Sequence, residues 1–495
     1  MYGLDMCNKN DKIWYEAFKR KDAQYDGRVF VGVKSTGIYC RPVCKARMPK
    51  EENCIFFTSA AEAEQAGYRP CLLCRPELAP GLAPVDATVN LVFKAVRKIE
   101  ENCFEGNSIA AIAESLGCSD RHLRRSFIAE LHVSPVQYMQ TYRLLLAKNL
   151  LMSSKLSVLD VAMASGFGSL RRFNALFKEK YHLTPSDLRK QLSLAVSQTD
   201  MVTIFAGYHP PYEWDCLLSF FAERAVPGIE VVKNNEYWRT VSLEDMSKRR
   251  ITGWIKIGHI SEKNMLAISI STSLLPVLPQ VLARVRIMFD LYCDPAIIYN
   301  DLKVMNKVKP DLCILGTRLP GCFNVFEMAV RTILGQQVSI KAAQTLIARF
   351  TEKLGIPLQT NIEGLTHVFP TPEMIVHIEE PLENILGKLG VTSMRSKAIK
   401  NLAFALYTGE IDLTFCSSPE REIEKLLKLP GIGQWTAQYL AMRAMNWPDA
   451  FLDTDYGVKK ALKTLTSQEI SELKTQCSPW GSYATINLWN SLQKG

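Results

Sequence analysis

Two pairs of cysteines are spaced so that their thiols could bind one metal ion. Cys40 and Cys44 form the first pair, and Cys71 and Cys74 form the second. A pair three or four residues apart can clamp one ion from a turn, and two pairs supply the four soft ligands that tetrahedral zinc prefers. We therefore predict a zinc site made by all four thiols. The alternatives are another soft metal or four unrelated buried thiols.

A single aspartate, Asp455, is the second candidate for chemistry. It follows the glycine turn Leu429-Pro-Gly-Ile-Gly433, which joins two helical patterns. The amides at the start of the second helix point outward unpaired, so they can hold an anion, which we interpret as a DNA phosphate. An aspartate just before a helical run is also a common N-cap, so Asp455 has a purely structural interpretation as well.

The stretch from Leu429 to Asp455 resembles the helix-hairpin-helix DNA glycosylases and, among them, the AlkA-type 3-methyladenine glycosylases. The resemblance implies that Asp455 is the catalytic carboxylate. Breaking the bond between a sugar and a damaged base leaves positive charge on the sugar, which a fixed carboxylate stabilises. It also places Trp435, Tyr439 and Trp489 in the base pocket, where aromatic faces favour cationic alkylated purines. Each aromatic taken alone would be interpreted as core.

The same resemblance implies contacts with the DNA backbone. The backbone amides would come from Gly431, Gly433 and Thr436. The backbone carbonyls that would hold a monovalent or divalent cation near the phosphate belong to Leu427, Leu429 and Ile432.

Glycosylases of this superfamily flip the target base out of the duplex and fill the gap with a side chain. By position within Gly335-Gln-Gln337 that side chain would be Gln337, where the best-known AlkA-type pattern has leucine. A buried polar residue at a helix start is the alternative. Superfamily members that also cut the strand carry a Schiff-base lysine where this chain has Trp435. Without that amine, imine chemistry is unavailable, so we predict base excision without a lyase step.

The segments around the first cysteine of each pair resemble the amino-terminal domain of the Ada adaptive-response proteins. These segments are Thr36-Gly-Ile-Tyr-Cys40 and Gly67-Tyr-Arg-Pro-Cys71. In that family one zinc-bound thiolate irreversibly takes the methyl group of a DNA methyl phosphotriester, and by position that nucleophile is Cys40. Methylation would remove a negative charge from the DNA-facing surface and raise its affinity for DNA. A purely structural zinc knuckle is the alternative.

Basic residues beside the first cysteine pair, namely Arg41, Lys45 and Arg47, are expected to hold the phosphate backbone. Full-length Ada proteins carry a second methyltransferase domain with a Pro-Cys-His-Arg active site. That tetrapeptide does not occur in this sequence, so repair of O6-methylguanine is not predicted.

Residues 86–190 contain two copies of a helix-turn-helix pattern. Phe127 and Phe177 hold equivalent places in the copies, as do His132 and His182, which we interpret as capping or packing residues. Two such units joined by one long helix resemble the AraC-type DNA-binding domain. The candidate base or phosphate contacts of the first unit are Arg121, His122, Arg124 and Arg125. Those of the second unit are Ser169, Arg171, Arg172 and Asn174. A solvated surface role is the alternative for each arginine.

Several elements must position these residues. Between the cysteine pairs there is room for two short strands and a helix. Residues 193–200 read as a polar connection and 211–221 as a helix. Strands are predicted at 236–243, 251–257 and 265–270 because of their β-branched and aromatic content, and an almost wholly helical pattern starts near residue 281.

We therefore predict a multidomain α+β protein. Its parts would be a small zinc-bound α/β domain, an all-α double helix-turn-helix domain, a small antiparallel α+β domain and an all-α helix-hairpin-helix glycosylase domain. The expected bounds of these domains are residues 1–80, 86–190, 200–280 and 281–495.

The formal net charge of +9 is unevenly distributed. Residues 1–190 hold 28 Lys and Arg against 20 Asp and Glu, whereas the remainder hold 31 against 30. We therefore expect the front of the chain to make the long-range electrostatic contacts with nucleic acid.

The N-terminus has no cationic start followed by an apolar run, so no signal peptide is predicted. The longest uncharged stretch, residues 264–283, is broken by two prolines and does not read as a membrane span. We expect a cytoplasmic protein of the bacterial type, associated with the nucleoid. Fourteen cysteines in such a protein indicate thiols and metal ligands rather than disulfides, and Cys7 and Cys54 are interpreted as packing residues.

Together the patterns predict a protein that senses methylation damage, activates transcription and excises alkylated purines such as 3-methyladenine. Its partners would be alkylated double-stranded DNA, a promoter operator and RNA polymerase. One alternative is a transcription factor whose glycosylase-like part only binds DNA. Another is a repair enzyme whose front half merely targets it to DNA.

Overall fold

A computed structural model of the 495-residue chain describes residues 9–80, 87–103, 108–190, 200–414 and 418–493. The chain divides into two compact units. The first comprises Met1–Pro210, Ile260–Ala283 and Leu291–Cys293, and the second Pro211–His259, Arg284–Asp290 and Asp294–Gly495. Most of the predicted polar connection, together with Cys7, lies outside the described residues. Within the part of the chain that is described, no helix is long and apolar enough to cross a membrane.

The first unit begins with a small sheet flanked by two helices. Its elements are α1 (Lys9–Arg20), β1 (Phe30–Val33), β2 (Ile38–Cys40), β3 (Cys54–Phe57), α2 (Ala60–Gln65) and β4 (Arg69–Pro70). The strand order is β3-β1-β2-β4, in which β2 and β4 are parallel and the other pairs antiparallel. The two short strands and the helix predicted between the cysteine pairs are therefore confirmed as β3, α2 and β4.

A run of seven described helices follows in the first unit. They are α3 (Ala87–Glu101), α4 (Ile109–Ser115), α5 (Asp120–Leu131), α6 (Pro135–Ser153), α7 (Val158–Ala164), α8 (Leu170–Tyr181) and α9 (Pro185–Lys190). The pairs α4–α5 and α7–α8 are the two predicted helix-turn-helix units, and α6 is the long helix between them.

The two helix-turn-helix units repeat each other in detail. The second helix of each is 12 residues long and starts at a serine N-cap, Ser119 or Ser169. Each of these helices ends at a histidine in the left-handed conformation, at φ +58° for His132 and +55° for His182. The capping role expected for both histidines is confirmed. The internal repeat in the sequence therefore corresponds to two helix-turn-helix units of the same structure.

An antiparallel region and one helix come next in the chain. The elements are β5 (Met201–Gly207), α10 (Trp214–Ala222), β6 (Glu230–Lys233), β7 (Glu236–Glu244), β8 (Arg250–Ile260) and β9 (Met265–Ser271). In the first unit β5 pairs antiparallel with β9, and in the second unit β7 pairs antiparallel with both β6 and β8. The three predicted strands are confirmed, whereas β5 and β6 were not predicted. The predicted helix starts at Trp214, three residues later than expected.

The rest of the chain is mostly helical, as predicted. Its helices before the glycine turn are α11 (Leu278–Met288), α12 (Pro295–Leu302), α13 (Val325–Leu334), α14 (Ile340–Leu354), α15 (Pro372–Val376), α16 (Leu382–Gly387), α17 (Ser393–Tyr407) and α18 (Pro419–Leu427). After the turn come α19 (Gln434–Arg443), α20 (Tyr456–Ala461), α21 (Ser467–Cys477) and α22 (Gly481–Gln493). Two short strands, β10 (Ile356–Pro357) and β11 (His367–Val368), pair antiparallel.

A buried ion-pair network joins the sheet of the second unit to α13. Arg239 on β7 donates to Glu327 on α13 over 2.7 Å, and Arg331 on α13 donates to Glu230 on β6 over 2.9 Å. Two guanidinium groups therefore face two carboxylates, so no buried charge of this group is left without an opposite charge. The network fixes α13, whose C-terminal end leads into the loop described below.

Candidate functional site

The four predicted thiol ligands meet at one end of the small sheet. β2 ends at Cys40, and the parallel strand β4 is followed directly by Cys71, whose amide donates to the Tyr39 carbonyl over 3.0 Å. The turns that follow bring in Cys44 and Cys74. The four sulfur atoms all lie within 4.8 Å of one another. A local strand pairing thus explains why two distant cysteine pairs converge.

Four sulfur atoms at this spacing suit tetrahedral zinc. Zn–S bonds of about 2.3 Å place the sulfur atoms of a tetrahedral site about 3.8 Å apart. The hydrogen bond with Cys40 lowers the pKa of Cys44 to about 7, and hydrogen bonds with the other thiols lower the pKa of Cys71 further. The same sharing of protons raises the pKa of Cys40. The four thiols therefore share their protons, and a bound cation would displace these protons by binding to the thiolates.

Arg41 has a different role from the one expected. Its guanidinium is buried, donates to both carboxylate oxygens of Asp26, and also donates to the Cys74 carbonyl over 3.2 Å. The prediction that Arg41 holds the phosphate backbone is wrong, because its guanidinium is buried and is paired with Asp26 inside the protein. Lys45 and Arg47 are exposed, as a contact with phosphate requires.

The predicted DNA contacts of the first helix-turn-helix unit lie on α5. The side chains of Arg121, His122 and Arg125 are exposed, and the Arg125 guanidinium lies 3.4 Å from His122 Nδ1. Arg124 is half-buried and forms an ion pair of 2.9 Å with Asp120 one turn earlier. The other three residues are therefore exposed, and none of them forms an ion pair with the part of the chain that the structure describes.

The predicted contacts of the second unit lie at the start of α8. Arg171, Arg172 and Asn174 are exposed. Ser169 is half-buried, and its hydroxyl accepts a hydrogen bond from the Arg172 amide over 3.4 Å. Ser169 thus caps the helix that carries the other three side chains.

The predicted pocket aromatics line one cavity of about 530 Å³ in the second unit. The rings of Trp435 and Tyr439 stack with centroids 5.1 Å apart, and the Tyr439 ring lies 6.3 Å from that of Trp489. Asp455 lines the same cavity. Helices α19 and α22 supply the rings, and the residue before α20 supplies the carboxylate.

Asp455 accepts three hydrogen bonds at the edge of this cavity. The indole N–H of Trp435 donates to Oδ2 over 3.0 Å, and that of Trp489 donates to Oδ1 over 2.9 Å. Oδ1 also accepts from the Val458 amide over 3.1 Å, so Asp455 is the N-cap of α20. The two interpretations of this residue are therefore compatible. The indoles that wall the cavity also fix the orientation of the carboxylate.

The glycine turn joins α18 to α19 in a conformation that favours glycine. Gly431 has φ +87°, and a Cβ at this position would lie 2.9 Å from the Ala398 Cβ. Gly433 is the exposed N-cap of α19, and Thr436 is buried in its first turn.

The carbonyl groups expected to hold a cation surround the same turn. Leu427 ends α18 with an exposed side chain. The Leu429 carbonyl accepts a hydrogen bond from the Ile432 amide over 3.1 Å. Ile432 is buried, so its side chain anchors the turn to the protein.

Gln337 lies in the loop between α13 and α14. Its side chain is exposed and its backbone has φ +53°, a left-handed conformation that is uncommon for a residue with a Cβ. The alternative of a buried polar residue is therefore wrong.

Three residues beside the cavity were not singled out from the sequence. Arg443 lines the cavity and donates to the Tyr439 hydroxyl over 2.8 Å, and Tyr456 lines its mouth with 80% of its surface exposed. Phe220 of α10 stacks on Trp489 with an interplanar angle of 16°. The spacing of four from Tyr439 to Arg443 was a usable signal, because such residues share a helix face. Phe220 gave none, since its helix reads as core.

Four family models match the chain. They are the metal binding domain of Ada at residues 13–77, a helix-turn-helix domain at 112–191, the AlkA N-terminal domain at 203–324 and the HhH-GPD superfamily base excision DNA repair protein at 330–477.

Curated relatives share these parts. The probable bifunctional transcriptional activator/DNA repair enzyme AlkA of Mycobacterium tuberculosis is 32% identical over 492 residues, which cover 97% of this chain and 96% of that protein. DNA-3-methyladenine glycosylase 2 of Escherichia coli is 34% identical over 57% of this chain and 95% of its own length. The bifunctional transcriptional activator/DNA repair enzyme AdaA of Bacillus subtilis is 33% identical over 36% of this chain and 82% of its own length.

The fold and the sites define a zinc-binding, DNA-binding repair protein in which helix-turn-helix units share one chain with a helix-hairpin-helix glycosylase. The chain belongs to the family of bifunctional transcriptional activator/DNA repair enzymes that join an Ada-type regulator to an AlkA-type glycosylase. The predicted resemblance, the multidomain α+β class and zinc as the metal of the cysteine cluster are confirmed.

Proposed function

We propose that the second unit hydrolyses the N-glycosidic bond of alkylated purines such as 3-methyladenine in duplex DNA. The observation that carries this proposal is Asp455, which lies in a cavity walled by Trp435, Tyr439 and Trp489 and is held by two indole N–H groups. The name of the E. coli relative, DNA-3-methyladenine glycosylase 2, supports the substrate class.

The reaction needs little covalent chemistry from the protein. The bond between sugar carbon and base nitrogen breaks, and its electron pair leaves with the base. The cationic alkylated purine becomes neutral when it takes this electron pair, so it needs no proton. Water gives its hydroxyl to the sugar carbon, and its remaining proton passes to the Asp455 carboxylate or to solvent. The Asp455 carboxylate stabilises the positive charge that develops on the sugar, or activates that water, without reorganising because its hydrogen bonds already fix it.

The cavity walls would select the base. An alkylated purine nucleoside is cationic and electron-poor, and the faces of indole and phenol rings attract cations. A purine that enters the cavity walled by Trp435, Tyr439 and Trp489 would therefore be held more tightly when alkylated than when neutral.

The DNA backbone would be held at the glycine turn. The amides proposed to contact phosphate are those of Gly431, Gly433 and Thr436, with a cation on the carbonyls of Leu427, Leu429 and Ile432. The exposed Gln337 would fill the gap that the flipped nucleotide leaves.

We propose that excision occurs without strand cleavage, and the lining of the cavity supports this proposal. Trp435 stands where a Schiff-base lysine would be needed, and no lysine is among the described residues that line the cavity. Accumulation of nicked product without added nuclease or base would contradict this proposal.

Release of 3-methyladenine from methylated duplex DNA tests the main proposal. The intact chain should release the base, and Asp455→Asn should lose this activity while remaining folded, because asparagine also caps helices. A chain that binds methylated DNA but releases no base would instead support a regulator whose glycosylase-like part only binds DNA.

We further propose that Cys40 accepts the methyl group of a DNA methyl phosphotriester. Its sulfur attacks the methyl carbon as the carbon–oxygen bond to phosphorus breaks, and the phosphate oxygen keeps the electron pair as an ordinary phosphodiester. Zinc held by Cys40, Cys44, Cys71 and Cys74 would keep the Cys40 sulfur a thiolate at neutral pH. Lys45 and Arg47 would steer the backbone towards Cys40. The thiol is consumed, so each molecule reacts once.

The same reaction would switch on transcription. Loss of one negative charge at Cys40 raises affinity for DNA, and the exposed polar residues of α5 and α8 would then read an operator. RNA polymerase is the proposed partner at the promoter, and the proposed location is the nucleoid of a bacterial cytoplasm. Residues 1–80 and 86–190 would form the sensing half, and residues 200–280 and 281–495 the excising half.

A reporter under an alkylation-induced promoter tests the switch. Cys40→Ala should abolish induction, whereas Cys54→Ala should retain it, because Cys54 lies outside the four-thiol cluster. Equal induction with Cys40→Ala would favour a repair enzyme whose front half merely targets it to DNA.

A further inference from the structure

The loop between α13 and α14 is tied to the glycine turn by one side chain. Gln336 Nε2 donates to the Gly431 carbonyl over 3.0 Å and to Thr436 Oγ1 over 3.0 Å. A primary amide has two N–H donors, so both are used. One acceptor is in the turn and the other in the first turn of α19. The amide therefore holds the loop against the helix hairpin at two points.

The backbone of the same residue is held from a third element. The guanidinium of Arg395, in the first turn of α17, donates to the Gln336 carbonyl. Helix α17 also packs directly on the turn, because a Cβ at Gly431 would lie 2.9 Å from the Ala398 Cβ and 3.6 Å from the Met394 carbonyl. The loop, the turn and α17 thus meet at Gln336.

The next residue, Gln337, has the strained backbone described above, at φ +53°. Such a conformation persists only where the surroundings hold it in place. The peptide that links Gln336 to Gln337 is the one whose carbonyl Arg395 holds. The hydrogen bonds of Gln336 and Arg395 therefore act directly on the residue that would enter the duplex.

We propose that Gln336 and Arg395 are positioning residues that fix the inserted side chain of Gln337 relative to the phosphate-binding amides of the hairpin. The inserted side chain and the phosphate-binding amides then stay at a fixed distance from each other along the duplex. The flipped nucleotide therefore enters the cavity in one position. This proposal rests on the proposed glycosylase function. It assigns the two residues to flipping, whereas bond cleavage belongs to Asp455.

Gln336→Met tests the proposal, since methionine keeps the length of the side chain and removes both donors. Base release is measured on two duplexes: one with the lesion normally paired, and one with the lesion opposite an abasic site, where flipping is easier. We expect kcat/KM to fall about tenfold to thirtyfold on the paired duplex and less than about threefold on the other. Gln468→Met is the control, because within the described residues the Gln468 side chain donates only to Glu472, one turn later on α21.

Arg395 gives the conservative test. Arg395→Lys keeps a cationic donor near the Gln336 carbonyl and should retain most activity on the paired duplex. Arg395→Met should lose it about as much as Gln336→Met does. Equal losses on both duplexes, or no loss on either, would overturn the proposal. Thermal unfolding of each variant identifies any that fail to fold.

A second readout does not depend on bond cleavage. Fluorescence of 2-aminopurine beside the lesion rises when the neighbouring base leaves the stack, and it can be followed with Asp455→Asn as the background. Gln336→Met in that background should lower the fluorescence change on the paired duplex. An unchanged signal would overturn the positioning role. If the intact chain released no base from either duplex, the glycosylase proposal would fail, whereas the fluorescence result would still judge the positioning of Gln337.

Discussion

Two carboxylates, one in each unit, accept the same number of described hydrogen bonds. In the second unit Asp455 accepts from two indoles and one backbone amide. In the first unit Glu64 of α2 accepts from the hydroxyls of Tyr39, Thr141 and Tyr181, over 3.1, 3.0 and 3.2 Å. Asp455 faces a cavity of about 530 Å³, whereas Glu64 is 3% exposed.

The difference shows that the surroundings of a carboxylate, and not its number of hydrogen bonds, separate a candidate catalyst from a structural group. The Asp455 carboxylate is held by three hydrogen bonds and also faces the cavity. Glu64 is held from all sides by β2, α6 and α8, so it joins the strand of Cys40 to the second helix-turn-helix unit. A buried carboxylate of this kind contributes to stability because it accepts the hydrogen bonds of buried hydroxyl groups, and it contacts no substrate.

The largest difference between Asp455 and Glu64 is expected when each carboxylate is exchanged for its amide. Asp455→Asn should lower the rate of base release about a hundredfold to a thousandfold, because charge stabilisation at the sugar is lost. Glu64→Gln should leave that rate within about twofold. Single-turnover release from methylated duplex measures both. A comparable loss in both variants would mean that the two carboxylates are not distinct in function.

The next largest effect is expected in the pH dependence of stability, to which Glu64 contributes. Burial raises the pKa of Glu64 from 4.5 to about 7, against the opposing effect of its hydrogen bonds. A raised pKa means that the folded protein binds the proton more tightly, so this contribution to stability is full below pH 4.5 and is lost as the pH rises to about 7. The loss is on the order of 3 kcal/mol.

Hydrogen exchange of the amides in α2 and α8 measures this loss locally. Wild-type protection should fall between pH 4.5 and 7 relative to Glu64→Gln, in which the titrating group is absent. Parallel profiles for the two proteins would contradict the prediction. The difference between the two profiles removes the contribution of all other titrating groups.

A smaller effect is expected from the indoles. Trp489→Phe keeps an aromatic ring against Phe220 and removes the N–H donor to Asp455, so base release should fall about tenfold. Trp480→Phe is the matched control, since Trp480 donates to Asp301 over 2.7 Å outside the cavity. It should lower the melting temperature without changing the rate. Equal rates for both variants would show that the indole does not help to hold Asp455 for catalysis.

The smallest effect is expected at the hydroxyls around Glu64. Tyr181→Phe removes one of three donors and should reduce the free energy of unfolding by about 1 kcal/mol. Tyr68→Phe is the control, because its hydroxyl makes no hydrogen bond in the described part of the chain. Urea unfolding of the two variants should therefore differ. If they were equally stable, the hydroxyls would contribute nothing to the cluster around Glu64.

The features that could be predicted from the sequence are those formed by residues close together in the chain. The glycine turn, each helix-turn-helix unit and each pair of cysteines occupy a short stretch, so residue type and period were sufficient to predict them. Strands β5 and β6 escaped prediction, because β5 lies beside a polar connection and β6 has four residues only.

Long-range partners could not be predicted in the same way. Arg41 looked like a phosphate contact because no pattern pairs it with Asp26, which lies in a loop before β1. Phe220 reaches Trp489 from a part of the sequence more than 250 residues away, where its helix reads as core. Such contacts depend on how elements pack, and one sequence carries no record of that packing.

The four zinc-binding sulfur atoms lie so close together that their chemistry depends on the redox state of the cell. Thiols this near to one another need little movement to be joined in pairs, and each such pairing gives up two electrons and two protons to an oxidant. A sulfur atom in a disulfide neither binds zinc nor attacks carbon as a thiolate does. Oxidation would therefore block the methyl transfer proposed for Cys40, and thiol reductants would restore the fraction of molecules that can react.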